Sequence, residues 1–472
     1  MKPACDTNGI SADPAASVAA VAPRTGWVRQ NCRRVLAWFR DDAFRRLFVN
    51  AGKLLSANAI AAVLGLVAAV LTARVLGPAG YGILALVLVY EATIGKLVTF
   101  NAWQAVIKFG SEALHANDHH ALRQLIKFAF CLDIGSAIAG TVLAMLLAGP
   151  MVALLGWDQA VRPFLVLYSV LILFTLSGTP IGVLRLFDRF DLLSYTVVLS
   201  AAIRLAGVAW CLLTKQDLYG FVLVYLVTGI AGQLYQVFAS LWVLRREGIG
   251  NIVWEPLRGV RSRFCGILDY VWTTNLNSTI RMLSREADEL IVAGLTAPAT
   301  LGLFKVAKQF AQVLPRFLDP LYQTVYPELT RLRAADHRRA FVALVKRSTL
   351  IVGSVGILGW LGFILFGQWL ILWTVGPAYS QAYLVAVIYL LALVIALCGF
   401  ALHPAMLAVG LPRKSFKAQV VATAAYLFLL WPSVHFFSIT GAAFIYVIYY
   451  IIWSLLMLKL LSPHLCHERN LA

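Results

Sequence analysis

Charge is what this sequence has least of. Of 472 residues only 13% are Asp, Glu, Lys or Arg, about half of the roughly 25% that a soluble domain carries. That shortfall excludes a chain whose whole surface meets water. Acids are the scarcer sign, 22 against 40 bases. Seven cysteines (Cys5, Cys32, Cys131, Cys211, Cys265, Cys398 and Cys466) share no spacing, which excludes a disulfide framework and a zinc pattern. There is no Gly-rich phosphate loop, no catalytic triad and no soluble active-site domain, so neither an enzyme nor a cofactor is expected. His464 and His467 have ligand-like spacing, but in an exposed tail such spacing is ordinarily accidental, and no metal site is expected. Residues 1–24 lack an apolar core behind a basic start, so they do not read as a signal peptide.

What is present is apolar. Hydrophobic residues make up 60% of the chain and the mean hydropathy is +0.79. Twelve runs of spanning length occur, at 54–75, 81–106, 128–147, 164–184, 192–213, 219–243, 265–294, 302–326, 350–375, 383–407, 420–437 and 442–461. A span needs about 20 apolar residues, and only helices or closed barrels satisfy the backbone in lipid. Continuous runs of this length exclude the alternating strands of a barrel. The expected fold is an all-α polytopic membrane protein with 12 transmembrane helices.

The formal charge of +18 raises nucleic acid as a partner, but its distribution points to membrane lipid instead. With the N-terminus inside, the inner segments hold about thirty bases and the outer loops only Arg162 and Lys215. Basic loops mark the cytoplasmic face, so both termini are expected in the cytoplasm. Residues 26–50 interleave Trp27, Trp38, Phe39 and Phe44 with Arg29, Arg33, Arg34 and Arg40. Two readings fit this tail: an amphipathic interfacial helix or a basic segment that fixes topology.

The chain divides at the basic stretch 245–263, with six spans on each side. Pro78-Ala79-Gly80-Tyr81-Gly82 after the first span matches Pro298-Ala299-Thr300-Leu301-Gly302 after the seventh, at an offset of 220. A second match, 121–127 with 340–346, falls at an offset of 219. The expected organisation is a tail at 1–50, a six-helix lobe at 51–250 and a second at 251–472. Six is even, so the lobes are parallel repeats with a substrate site between them.

Charges inside spans mark candidate sites, because each costs about 2.5–3.5 kcal/mol at mid-bilayer. In the eighth span Lys305, Gln309, Gln312, Arg316, Asp319 and Gln323 fall on one helical line with Lys308 beside it. In the seventh, Thr274, Asn277, Arg281, Arg285 and Asp288 form a similar stripe with Glu289 at its edge. Arg285 lies at helical spacing from Asp288 and Glu289, so part of this group can neutralise itself. Arg204 in the fifth span is either a cavity cation or a packing partner. Glu91 in the second is a carboxylate for a coupling ion or a counter-charge to the seventh and eighth spans; Asp288 is a second coupling candidate. Asp133 and Asp269 read as interfacial. Arg74 and Lys96 complete the intramembrane bases.

Leu71-Thr-Ala-Arg74-Val-Leu-Gly77-Pro78-Ala-Gly80-Tyr81-Gly82 resembles the signature of the Wzx-type repeat-unit flippases of the multidrug/oligosaccharidyl-lipid/polysaccharide superfamily. The stretch from Asp288 to Gly302 looks like its second-half counterpart. The resemblance covers nearly the whole chain after Asn50 and is poorly diagnostic of substrate. It implies two MATE-like six-helix lobes around a central, partly cationic cavity, working by alternating access in a bacterial inner membrane. The implied cargo is a polyprenyl-pyrophosphate-linked oligosaccharide, whose phosphates suit Arg281, Arg285, Lys305, Lys308, Arg316 and Arg204. H+ or Na+ would be the coupling ion, and a polymerase and glycosyltransferases the pathway partners. A peptidoglycan-precursor flippase, a drug/cation antiporter and a membrane glycosyltransferase or polymerase are the alternatives. An antiporter predicts an acidic cavity, and the enzymes predict large outer or cytoplasmic regions that this sequence lacks.

Overall fold

The computed structural model describes residues 42–466, except 99, 101, 177, 251, 253, 258–259, 265, 314–324, 326–327 and 334–336. Side chains are further described neither at 42–55, 261–262, 273 and 276–287 nor at 464–466. The tail reading at 26–41, Arg316 and His467 lie outside the described residues. The chain forms two compact units, residues 1–50 and 51–472.

The described residues are helical, with no strand among them. In chain order the helices are α1 (Asp42–Val98), α2 (Trp103–His115), α3 (His119–Leu154), α4 (Arg162–Phe174), α5 (Gly178–Leu186), α6 (Phe190–Leu213) and α7 (Leu218–Arg246). There follow α8 (Val260–Arg263), α9 (Ile267–Leu295), α10 (Pro298–Ala311), α11 (Arg338–Thr374), α12 (Ala382–Cys398), α13 (Leu402–Ala408) and α14 (Pro412–Cys466). Eight helical stretches among the described residues are long and apolar enough to span a bilayer. Two of those eight are bent double. α1 breaks at Gly77, which takes a left-handed φ of 66° ahead of Pro78, and α14 breaks at Ser438, with φ 55°. The seventh sequence run falls on α9, which is too polar to rank with the eight, and the eighth begins in α10; residues 314–324 lie outside the described residues.

The elements end where the local chemistry ends them. Asp118 caps α3 by accepting the Ala121 amide at 2.8 Å, and that amide holds the Asp118 carboxyl below its usual range. The fourth span is interrupted between Phe174 and Gly178, and the tenth between Cys398 and Leu402. Apolar side chains such as Leu146, Leu350, Leu365, Phe428 and Phe436 point outward, as they must where the solvent is hydrocarbon.

The connections alternate between two ends of the bundle. One end carries the basic loops before α3 and α6 and after α7. The other carries the turns at 77–82, 155–161, 214–217, 295–298 and 375–381.

At the basic end the connection after α7 is tied down. Glu255 accepts Arg123 Nε through Oε1 and meets His120 Nε2 through Oε2 at 3.2 Å. Lys127 Nζ donates to the Glu255 carbonyl at 2.7 Å, and Gln124 Nε2 to the Pro256 carbonyl at 3.0 Å. Two turns of α3 thus grip the segment that joins the two halves of the sequence.

Candidate functional site

The two repeat-related turns meet. A side chain at Gly82 would begin 1.6 Å from the carbonyl oxygen of Pro298, and one at Gly302 would begin 2.3 Å from that of Pro78. Pro78 and Pro298, like Gly82 and Gly302, stand 220 positions apart, so the contact is reciprocal. Each half lays its glycine on the proline carbonyl of the other, as in an isologous interface. Only a residue without Cβ permits that approach.

Two longer side chains repeat the pattern. Trp157 Nε1 donates to the Ala293 carbonyl at 2.8 Å, and Tyr379 Oη donates to the Ala73 carbonyl at 2.9 Å. Ala73 and Ala293 are again 220 apart, as are the glycines that set the two loops, Gly156 at φ 65° and Gly376 at φ 109°. Trp157 and Tyr379 are both buried. The halves are therefore latched at the end opposite the basic loops. The proline–glycine turns are legible in the sequence and this second pair is not, because Trp157 and Tyr379 differ in type and fall outside the 220-residue register.

Below the latch lies the charge cluster. Lys308 Nζ meets Asp288 at 2.8 and 3.0 Å and Glu289 Oε1 at 3.0 Å, while Lys305 Nζ meets Glu289 Oε2 at 2.5 Å. Tyr389 Oη donates to Asp288 Oδ2 at 3.1 Å, and its ring stacks on Tyr446 with centroids 4.4 Å apart. α9 and α10 are joined by a tight turn at 295–298, and that hairpin sets acids of one helix against lysines of the next.

The arrangement decides what each expected site residue does here. Lys308 is 3% exposed and Asp288 1%: they form a buried pair rather than a cavity wall. Lys305 is half-buried and held by Glu289. Helical spacing makes Arg285 a partner for Asp288 and Glu289; among the described residues those acids meet Lys305, Lys308 and Tyr389. Arg281 and Arg285 lie on α9 with side chains outside the described residues, and Arg316 lies outside altogether.

A second polar group sits in the first half. The Arg204 guanidinium carbon lies 5.0 Å from the centre of the Tyr225 ring, and its Nε is buried without a hydrogen-bond partner. Tyr168 feels the charges of both Glu91 and Arg204, so these two sequence candidates share one neighbourhood. Lys96 is exposed. Arg74 is exposed too and lines a groove of about 730 Å³ between the halves, with Leu66, Val70, Phe310, Phe363 and Trp373.

Asp269 is exposed, as an interfacial residue should be. Asp133 is not: it is 2% exposed. The sequence reading placed it near the membrane surface by counting from the end of an apolar run. The start of α5 and the interruption before α2 close over its carboxyl, so protein surrounds it. No group of three or more metal-ligating side chains is found among the described residues.

A family model described as "Polysaccharide biosynthesis protein" matches residues 47–333. The inner membrane protein YghQ of Escherichia coli (strain K12) is 32% identical over 356 residues, covering 73% of this chain and 97% of that protein. Among solved structures, the lipid II flippase MurJ in an inward closed conformation superposes with a TM-score of 0.69 at 16% identity, covering 87% of each chain. An inward-facing MATE family transporter of the MOP superfamily gives 0.65 at 13% identity, covering 87% of this chain and 94% of the other. The fold is that of MOP transporters.

Proposed function

The chain belongs to the polysaccharide biosynthesis protein family, and from that membership we propose that it flips a polyprenyl-pyrophosphate-linked oligosaccharide across the bacterial inner membrane. Family membership and the MOP fold support a flippase of lipid-linked cargo; the carrier and the sugar are the finer part of the proposal. A multi-pass inner-membrane location accords with the YghQ relative and with the apolar helices.

The observation that carries the mechanism is the reciprocal latch at one end. Alternating access needs two halves that separate at one end while closing at the other. The repeat-related glycine–proline contacts and the Trp157 and Tyr379 bonds close the turn end symmetrically. The state described here is closed at the turn end. With both termini in the cytoplasm, as the basic loops suggest, that end is periplasmic.

The cargo's pyrophosphate is a multivalent anion, and guanidinium forks suit its oxygens. With Lys305 and Lys308 engaged by acids, the binding role falls on Arg281, Arg285 and Arg316, with Arg204 as the first-half contribution. Glu91 and Asp288 are the proposed carboxylates for H+ or Na+ coupling.

Purified protein in liposomes should move a polyprenyl-pyrophosphate oligosaccharide between leaflets, read by accessibility of the sugar to an added lectin. Arg281→Ala and Arg316→Ala should insert normally and flip at least tenfold more slowly, and Arg281→Lys should recover only part. Wild-type protein, correctly inserted and unable to move the lipid, would overturn the cargo. Full flipping by both alanine variants would overturn the cationic site.

A further inference from the structure

Two spans of the first half break at the same place, and Asp133 stands between the breaks. The second span is interrupted between Val98 and Trp103, the fourth between Phe174 and Gly178. Asp133 Oδ2 accepts the amide of Thr179, in the first turn of α5, at 2.6 Å. A side chain at Gly178 would begin 2.9 Å from Asp133 Oδ1 and 3.0 Å from the amide nitrogen of Ala102, so the carboxyl reaches both interruptions. Ser136, one turn along α3, takes the Phe100 amide at 3.3 Å.

The other carboxyl oxygen has no partner. Asp133 Oδ1 is buried without a hydrogen bond, and so is Thr179 Oγ1 on the residue already bound to Oδ2. A buried ionised carboxylate with an empty oxygen is costly. A proton on Oδ1 removes the charge and turns that oxygen into a donor, and the Thr179 hydroxyl, on the residue whose amide already binds Oδ2, is a buried group able to accept it.

Among the described residues no ion pair to Asp133 is found. Ionisable groups on the elements around it include Lys108 on α2, Lys127 on α3, Tyr168 on α4, Arg185 on α5, Arg263 on α8 and Asp269 on α9. Lys108 lies over the Phe109 and Tyr270 rings and Arg185 over Trp103. Lys127 donates to the Glu255 carbonyl and Arg263 to Gln124. Tyr168 faces Glu91 and Arg204, and Asp269 lines a surface groove beside Leu132.

We propose that Asp133 is a proton-binding site, with Thr179 accepting the bound proton, that fastens or frees the start of α5 between two broken spans. Ionised, the carboxylate holds the Thr179 amide by a charge-assisted bond at the positive end of a helix. Protonated, it holds that amide weakly and the fourth span can hinge. The proton comes from water and returns to it; no other bond changes. Transporters form coupling-ion sites at discontinuous helices, and this site is separate from Glu91 and Asp288 and independent of which cargo is carried.

The test uses the full chain in lipid with protons as the only ligand. Infrared difference spectra between alkaline and acid buffer, with isotope-labelled aspartate, should show a protonated carboxyl band that Asp133→Asn abolishes. Amide exchange at the start of α5 should quicken about tenfold on acidification, after correction for intrinsic rates, the loss expected for a bond to a charged acceptor. In Asp133→Asn that dependence should vanish. Thr179→Val keeps the carboxyl and removes the acceptor, so the titration should move to lower pH. Should the asparagine variant fail to fold, the labelled wild type and Thr179→Val still decide. A wild type with no protonated aspartate band, α5 exchange indifferent to pH, or a shift to higher pH in Thr179→Val would each overturn the proposal.

Discussion

Trp157 and Tyr379 perform the same act from opposite halves: each reaches across and donates to a carbonyl at the end of the other half's first helix, Ala293 and Ala73. The bonds are buried, so each carbonyl loses its partner when the side chain is shortened. Because the two carbonyls are repeat-related, the latch is one interaction used twice. It sits on the turns where the glycines of each half touch the prolines of the other.

Loosening the latch should shift the molecule toward opening at that end. Trp157→Phe and Tyr379→Phe each remove about 1 kcal/mol of net hydrogen bonding, and together about 2 kcal/mol, on the order of thirtyfold in the open-to-closed ratio. Distances between spin labels at positions 79 and 299 read that ratio directly. A double variant as closed as wild type would show that the bonds persist in both states.

Gly82→Val should prevent closure outright, since its Cβ would overlap the Pro298 carbonyl. Gly65→Val, where nothing lies within 4 Å of the added atom, is the control for helix propensity. The Gly82 variant should give long 79–299 distances with normal insertion, and the Gly65 variant should match wild type. Identical distances in the two would contradict the contact.

Lys308 should matter for folding more than for charge supply. Lys308→Ala takes from Asp288 and Glu289 the cation that meets them both, and breaking a buried pair costs about 3–5 kcal/mol. Thermal unfolding in detergent should show a large drop, and Asp288→Asn in the same chain should recover much of it. A cavity cation predicts the opposite: unchanged stability, and no rescue by removing the acid.

Glu255→Ala should free the segment after α7. Arg123 and His120 lose their shared acceptor, while the backbone bonds from Lys127 and Gln124 remain. Limited proteolysis within 251–259 should quicken several-fold, and high salt should narrow the difference from wild type, since part of the clamp is ionic. Equal cleavage at low salt would show that the backbone bonds alone hold the segment.

Much of this was legible in the chain. The class followed from composition, since a chain with so little charge has too little polar surface for water. Helices followed from the length of the apolar runs, because in lipid the backbone must bond within itself. The turn at Gly77-Pro78 was readable because proline and glycine fix local backbone whatever surrounds them. Pairing between distant segments was not. Helical spacing relates Asp288 only to residues of its own helix, and the lysines found against those acids stand on the next. Asp133 was placed by distance from a run's end, yet its burial depends on α2, α4 and α5 closing around it. Trp157 and Tyr379 carry no motif, and their meaning lies entirely in which carbonyl each one reaches. The sequence by itself determined a helical membrane protein with a repeated turn. Only the tertiary structure decided which charges cancel, which carboxyl is left with an empty oxygen, and at which end the halves are fastened, because each depends on contacts between residues far apart in the chain.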